Sequence, residues 1–300
     1  LNSLLLTGGN GFLGKHIRES FLDRYNIFSP SRQELELTDS DAVNNYFCDH
    51  AIDCVLHTAT VGAARNLIKS ESEYLLENLK SFVNIFQNSK HVKRFIQFGS
   101  GAEYGKPFVR GAVCEEEAGI NLPRDAYGLS KFFSGQLLER QESKKFVNLR
   151  IFGVFGAYED YKTRFISNVI MRSLLGLPII VNQNAIFDYI YIHDFLKILD
   201  YFIQSPTTEV SYNITAGDPI TLVALAEIVH ELTHNPYELV VKHANINENY
   251  TGNNARLLHF LPADFKFTPI KEAISDHILW CERYIATENK DLIFKNILSF

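Results

Sequence analysis

A glycine pattern near the start of the chain restricts its fold more than any other feature. Thr7-Gly8-Gly9-Asn10-Gly11-Phe12-Leu13-Gly14 comes after the apolar run Leu4-Leu5-Leu6 and opens an amphipathic stretch. A strand, a glycine turn and a helix set the helix N-terminus, with its unpaired N–H groups, beneath a phosphate. In that unit Gly8 permits the tight turn and Gly11 lets phosphates approach the backbone. Gly14 lets the helix pack on the strand. The spacing is Gly-x-x-Gly-x-x-Gly, one residue longer at the front than the usual dinucleotide fingerprint. Taken alone the motif also fits an ordinary turn, so its meaning depends on the rest of the chain.

Downstream of the turn, strand-like and helix-like segments alternate. Strands are expected at 1–7, 26–29, 34–37, 54–59, 94–99 and 146–151, and helices at 12–25, 39–48, 71–89 and 126–141. Repeated βα units with continuously apolar strands imply a parallel sheet covered on both faces. The second half is looser, with helices at 164–175, 194–203, 221–232 and 270–286 and a strand at 186–192. The expected fold is α/β, a Rossmann-type doubly wound parallel sheet with a smaller C-terminal substrate-binding lobe. Residues 1–153 make the dinucleotide-binding part, with a return segment around 186–213. Residues 154–185 and 214–300 make the smaller lobe. Without a linker between them, the two parts are expected to share one core.

Composition narrows the partners. The 300 residues carry a net charge of −6, which argues against a nucleic-acid surface. No apolar run reaches the ~20 residues needed to cross a bilayer, so no membrane partner is expected. Cys48, Cys54, Cys114 and Cys281 lack paired spacing and read as free thiols. The chain starts inside a strand-like run, which leaves no room for a signal peptide. Together these point to the cytoplasm. The ten histidines fit no metal-binding pattern, and no metal is expected.

Tyr127-Gly128-Leu129-Ser130-Lys131 opens a helical stretch, where positions four apart share a face. A tyrosine hydroxyl has a pKa of about 10, and a nearby ammonium favours the phenolate. Such a pair can move a proton to or from a carbinol oxygen. Ser100 ends the strand-like FIQFGS, at the sheet edge where open α/β folds bind ligands. Its hydroxyl can bond the oxygen that Tyr127 protonates.

These residues, with TGGNGFLG (7–14), VLHTA (55–59), FGSGAEYG (98–105), YGLSK (127–131), LRIFGVFG (149–156) and FDYIYIHD (187–194), resemble the extended short-chain dehydrogenase/reductase family. The resemblance spans nearly the whole chain, with the motifs in the family's order. It implies that Ser100, Tyr127 and Lys131 are the catalytic serine, tyrosine and lysine. The implied substrate is a nucleotide-diphosphate sugar, and the implied cofactor an NAD(P) dinucleotide. Cofactor contacts are expected from Gly8, Asn10, Gly11, Phe12, Leu13 and Gly14 in the turn, and from Thr58 and Ala59 after a strand. Asn78, Tyr127, Lys131 and Phe152 complete that expectation. The resemblance also implies a homodimer built on the helices at 71–89 and 126–141.

The end of the second strand selects the cofactor. An acid there suits the ribose diol of NAD, and an arginine suits the 2′-phosphate of NADP. The chain reads Phe28-Ser29-Pro30-Ser31-Arg32-Gln33. Ser31 and Arg32 therefore favour NADP(H) over NAD(H). The segment at 31–47 is similar to that of the GDP-L-fucose synthase group of nucleotide-sugar reductases, in which Glu36 and Leu37 fall at positions lining the adenine. In that group a cysteine and a histidine move protons at carbon. Here Ala102 and Arg164 stand at those positions, which removes the epimerising chemistry and leaves the hydride step. Gly101 and Ala102 likewise replace the acid/base pair of the family's dehydratases, and Glu103 lies one residue late.

The expected reaction is NADPH-dependent reduction of the 4-keto group of a nucleotide-activated 6-deoxy sugar. The alternatives are a C4 epimerase that keeps its NAD(P), and a non-catalytic dinucleotide-binding sensor. Ser100, Lys162, Arg164, Asn254 and Arg256 are the expected substrate contacts. His57, Asp188 and Asp194 read as structural residues.

Overall fold

The first strand, β1 (Ser3–Thr7), sends Leu4 and Leu6 to one face of a sheet and Leu5 to the other, and all three are fully buried. The computed structural model describes residues 2–62, 69–105 and 111–298, so residue 1, the expected start of this strand, lies outside the described residues. The other strands of the sheet are β2 (Asn26–Phe28), β3 (Cys54–His57), β4 (Arg94–Ser100), β5 (Phe146–Ile151) and β6 (Ser211–Ile214). Among the described residues the order is β6-β5-β4-β3-β1-β2, every pairing parallel. Strand order reverses between β1 and β3, and that crevice is where open α/β sheets take their ligands.

Two apolar layers cover the sheet. Helix α1 (Phe12–Phe21) brings Ile17 and Phe21 into one cluster with Leu4, Leu6, Leu56 and Val147. On the opposite face α2 (Ser40–Asp49), α3 (Glu71–Asn88) and α4 (Ala126–Glu139) bring Val43, Phe82, Ile85 and Leu138 onto Leu5, Val55 and Phe95. Because side chains alternate along a strand, a one-residue slip of β1 would swap these sets, so both layers hold its register. Helix α3 starts at a capping box, Ser70 with Glu73.

The second lobe contributes α5 (Phe165–Leu174), and α6 (Ile192–Gln204) then returns to the α1 face of the sheet. Helices α7 (Leu222–Thr233), α8 (Ala255–Phe260), α9 (Ile270–Thr287) and α10 (Lys290–Leu298) complete the helices among the described residues. Ile166, Val169, Leu225 and Ile274 join the same cluster as Leu4 and Ile17, so one core continues from the sheet into these helices.

Several local expectations change. Residues 34–37 form no strand. Ser31 O accepts from the Glu34 and Leu35 N–H groups, and the Glu34 carboxylate accepts from Ser31 N at 2.7 Å. This turn uses the backbone groups that a strand would need. The stretch 186–192 is broken at Asp188, whose carboxylate accepts from Ala216 N and Gly217 N, each at 3.0 Å. Ile186–Phe187 pairs with Ile220–Thr221 and Asn249–Gly252 in a small sheet, which Ala112–Val113 also joins. Tyr189–Tyr191 pairs instead with Gly153–Phe155 beside the main sheet. Helix α1 ends at Phe21, short of residue 25, and α10 was not expected.

Candidate active site

The glycine turn closes the C-terminal edge of β1. Gly8 takes φ +73, a left-handed conformation that a side chain would strain. A Cβ on Gly14 would stand 2.3 Å from Gly8 O, so only glycine lets α1 come this close to the turn. Gly11 caps α1 with no side-chain hydrogen bond, which leaves the first N–H groups of the helix for an anion. Beside the turn, Thr58 Oγ1 donates to Thr7 O at 2.7 Å. Asn78 on α3 accepts from Val61 N at 2.8 Å and donates to Val61 O at 2.9 Å, which fixes the loop after β3.

A cavity of about 1320 Å³ opens from this turn and continues past the end of β4 into the second lobe. It exceeds the ~300–1,000 Å³ of most single-ligand pockets. Every expected cofactor residue lines it: Gly8, Asn10, Gly11, Phe12, Leu13 and Gly14 in the turn, then Ser31, Arg32, Glu36, Leu37, Thr58, Ala59, Asn78, Tyr127, Lys131 and Phe152. An open helix N-terminus on a glycine cradle at a strand-order reversal fits a dinucleotide pyrophosphate. Arg32 stands at the rim, with its Nε 2.7 Å from Glu36 and an Nη 3.0 Å from Glu77.

Ser100, Tyr127 and Lys131 meet on the floor of the same cavity. Ser100 is placed by a short helical turn, Gly101–Tyr104, at the end of β4. Its Oγ accepts from Ala102 N at 3.1 Å, and its N–H donates to Glu103 at 3.0 Å. Tyr127 is placed by the start of α4, where Asp125 accepts from Gly128 N at 2.8 Å and caps the helix. Lys131 comes one turn later and donates from Nζ to Phe98 O at 2.7 Å, with Nζ 5.8 Å from the Tyr127 ring centroid.

The electrostatics depart from the expectation. Burial pushes the Tyr127 hydroxyl above its ordinary value, against a Ser100 hydrogen bond and the charge of Arg164. Burial pushes Lys131 down to about 8, with Glu103 pulling it back. Tyr127 is thus protonated at neutral pH, the form that a proton donor needs.

Glu103 lies outside this chemistry. It is fully buried beneath Ser100, 2.8 Å from Arg150 Nε and 3.0 Å from Asn148 Nδ2. Arg150, also fully buried, donates in addition to Glu139 at 2.6 Å and Glu115 O at 3.0 Å. Burial raises the Glu103 carboxyl, and the Arg150 guanidinium opposes that shift. Gly101 and Ala102 carry no acid or base.

Lys162 and Arg164, at the entry to α5, line the cavity. Asn254 and Arg256 do not. Asn254 donates to Thr215 O at 3.2 Å. Arg256 donates to Ser211 O at 2.9 Å and pairs with Glu116. Nearby carboxylates and carbonyls engage both side chains, and the structure does not bring either into the cavity. His57 is neutral, pushed down to about 3 by burial, with Nδ1 2.8 Å from Thr7 Oγ1. Asp194 accepts from Thr268 N at 2.6 Å, a structural bond like those of Asp188.

Glu159 and Tyr250 are among the lining residues not expected from the sequence. Glu159 lies in the loop before α5, where burial pushes it up to about 7 against the Ser167 hydroxyl and Arg164. It stands just after the GVFG motif, which is the one signal that would have drawn attention to it. Tyr250 comes from the small sheet, in a segment that matches no motif. All four cysteines are free, and no cluster among the described residues could hold a metal ion. No helix among them is long and apolar enough to cross a membrane.

A family model, the NAD dependent epimerase/dehydratase family, matches residues 4–215. GDP-L-colitose synthase of Yersinia pseudotuberculosis is 23% identical over 234 residues, covering 71% of this chain and 76% of its own. The dTDP-4-dehydro-6-deoxyglucose reductase of Escherichia coli is 27% identical over 263 residues, 76% of this chain and 81% of its own. A solved GDP-mannoheptose C4 reductase from Campylobacter jejuni, with NADP bound, superposes with a TM-score of 0.80 at 19% identity, over 94% of this chain and 98% of its own.

Proposed function

Because the chain belongs to the NAD-dependent epimerase/dehydratase family, and is therefore an NAD(P)-dependent oxidoreductase or epimerase, we propose that it reduces the 4-keto group of a nucleotide-activated 6-deoxy sugar with NADPH. The observation that carries this reading is Tyr127 with Ser100 and Lys131 in one cavity with the glycine cradle. Hydride delivery to a carbonyl leaves an alkoxide, so the facing tyrosine must arrive with its proton.

The bound nicotinamide supplies the hydride, and the rest falls to the chain. The Ser100 hydroxyl holds the carbonyl oxygen, and Tyr127 gives that oxygen its proton as charge develops. Lys131 would hold the ribose next to the nicotinamide and place its positive charge near Tyr127. The turn at Gly8 to Gly14 and the N-terminus of α1 hold the pyrophosphate. Lys162 and Arg164 meet the diphosphate of the sugar nucleotide. No acid or base at Gly101 or Ala102 serves dehydration. The NADP-bound reductase of like fold and the reductase named among the relatives support the same class. Leu76 on α3 and Phe133 on α4, both exposed, support a homodimer through those helices. The test is NADPH oxidation against a panel of GDP-, dTDP-, UDP- and CDP-linked 4-keto sugars. Oxidation with one of them, matched by reduced sugar, is expected, and no turnover with any would overturn the reading.

Two further results are expected. Arg32 is the group offered to the 2′-phosphate of NADPH, in competition with Glu36 and Glu77. Because its side chain is largely exposed, Arg32→Ala should lower kcat/KM for NADPH only about tenfold, with a smaller change for NADH. Initial rates with the two cofactors measure this. The second concerns pH. kcat/KM reports ionisations of the free enzyme, and reduction needs Lys131 charged. Since Lys131 is pushed down to about 8, kcat/KM should fall as pH rises through about 8. A profile flat to well above that value would contradict the role given to Lys131.

A further inference from the structure

Ser100 has a second hydroxyl neighbour that the proposed reduction does not use. Tyr250 reaches in from the second lobe on Asn249–Gly252, and its Oη lies 3.5 Å from Ser100 Oγ. The ring is clamped, with centroids 5.0 Å from Phe152 and 5.6 Å from Phe187. Small residues make room for the clamp. A Cβ on Gly101 would stand 2.7 Å from Tyr250 Oη, and one on Gly252 would stand 2.6 Å from the Phe152 ring. Tyr250 is 3% exposed and lines the same cavity as Ser100 and Tyr127.

We infer that Tyr250 is a positioning residue for Ser100, donating its phenolic proton to Ser100 Oγ so that the serine's own proton faces Tyr127 and the substrate oxygen. A serine hydroxyl has one proton and two lone pairs. The Ala102 N–H, at 3.1 Å, occupies one lone pair. A donor from Tyr250 occupies the other, and the only hydrogen left to orient is the one that the carbonyl needs. Burial drives the Tyr250 pKa upward, so the donor keeps its proton across the working pH range. At 3.5 Å the bond is long for O–H···O, so the effect assigned is orientation. Since the strand of Tyr250 belongs to the small sheet, the second lobe completes the polarising group of the first.

This inference rests on the roles given to Ser100 and Tyr127, which reduction and C4 epimerisation share, so it is scored on whichever nucleotide sugar the wild type turns over. Tyr250→Phe keeps the ring and removes only the hydroxyl. It should lower kcat about tenfold, with KM for the sugar, NADPH binding by fluorescence and the melting temperature all close to wild type. Combined with Ser100→Ala, it should cost less than about twofold more than Ser100→Ala alone, because the partner it acts through is gone. A kcat within twofold of wild type, or the same loss in both backgrounds, would overturn the inference. If Tyr250→Phe does not fold, Gly101→Ala crowds the same hydroxyl at 2.7 Å and the Phe152 ring at 2.8 Å, so kcat should fall together with NADPH binding, and a kcat within twofold of wild type would overturn the inference. Failure of the reductase reading shows separately, as wild-type turnover without net NADPH consumption.

Discussion

Tyr127→Phe is expected to lose about 10³-fold in kcat while still binding NADPH. The ring keeps its place at the start of α4, and Asp125 still caps the helix through Gly128 N. What disappears is the hydroxyl assigned to protonate the carbonyl oxygen, and general acid catalysis typically contributes 10²–10⁴-fold. Fluorescence titration with NADPH should give a Kd within a few-fold of wild type, and single-turnover kinetics should place the loss on the chemical step. Near-normal turnover would mean that another group supplies the proton. Glu159, pushed up to about 7 by burial, would then be the first residue to examine.

Arg150→Met should give the largest loss of stability. Arg150 and Glu103 are both fully buried, and Glu103 also accepts from Ser100 N and Asn148. Removing the guanidinium strands a carboxylate in the interior, a change that typically costs about 3–5 kcal/mol. Urea denaturation measures it. Glu103→Gln in the same background should recover part of the loss, since the residual penalty belongs to the unpaired charge more than to the missing contact. Activity should fall together with stability, because Glu103 holds the backbone of Ser100. A loss below about 1 kcal/mol would show that Glu103 is neutral in the folded chain.

The parts of the site that were readable in the sequence are those fixed by the ends of single elements. The glycine turn, Ser100 at the edge of β4 and the Tyr127–Lys131 pair on α4 are local patterns, and the parallel sheet brings their ends together. Tyr250 was not readable because it meets Ser100 from 150 residues away, along a strand with no motif. Arg256 shows a related limit: a basic residue suggests an anionic ligand, and only the fold shows its pairing with Glu116. The mistaken strand at 34–37 shows side-chain bonds outcompeting an apolar period, as the Glu34 carboxylate closes a turn on Ser31. The pKa of Tyr127 could not be read either. Sequence shows a lysine four residues on, but only the fold shows the burial that raises the hydroxyl.

Hydride transfer to a sugar carbonyl can be tracked directly. With NADPH deuterated at the transferring carbon of the nicotinamide, and the 4-keto sugar nucleotide selected by the panel, mass spectrometry and NMR would locate the label. One deuteron on the former carbonyl carbon, with one NADP+ formed per sugar reduced, is the expected result. NADP+ formed with no deuterium at C4 would contradict the reductase reading, and a plain hexose nucleotide inverted at C4 with no net NADPH consumed would identify the enzyme as an epimerase.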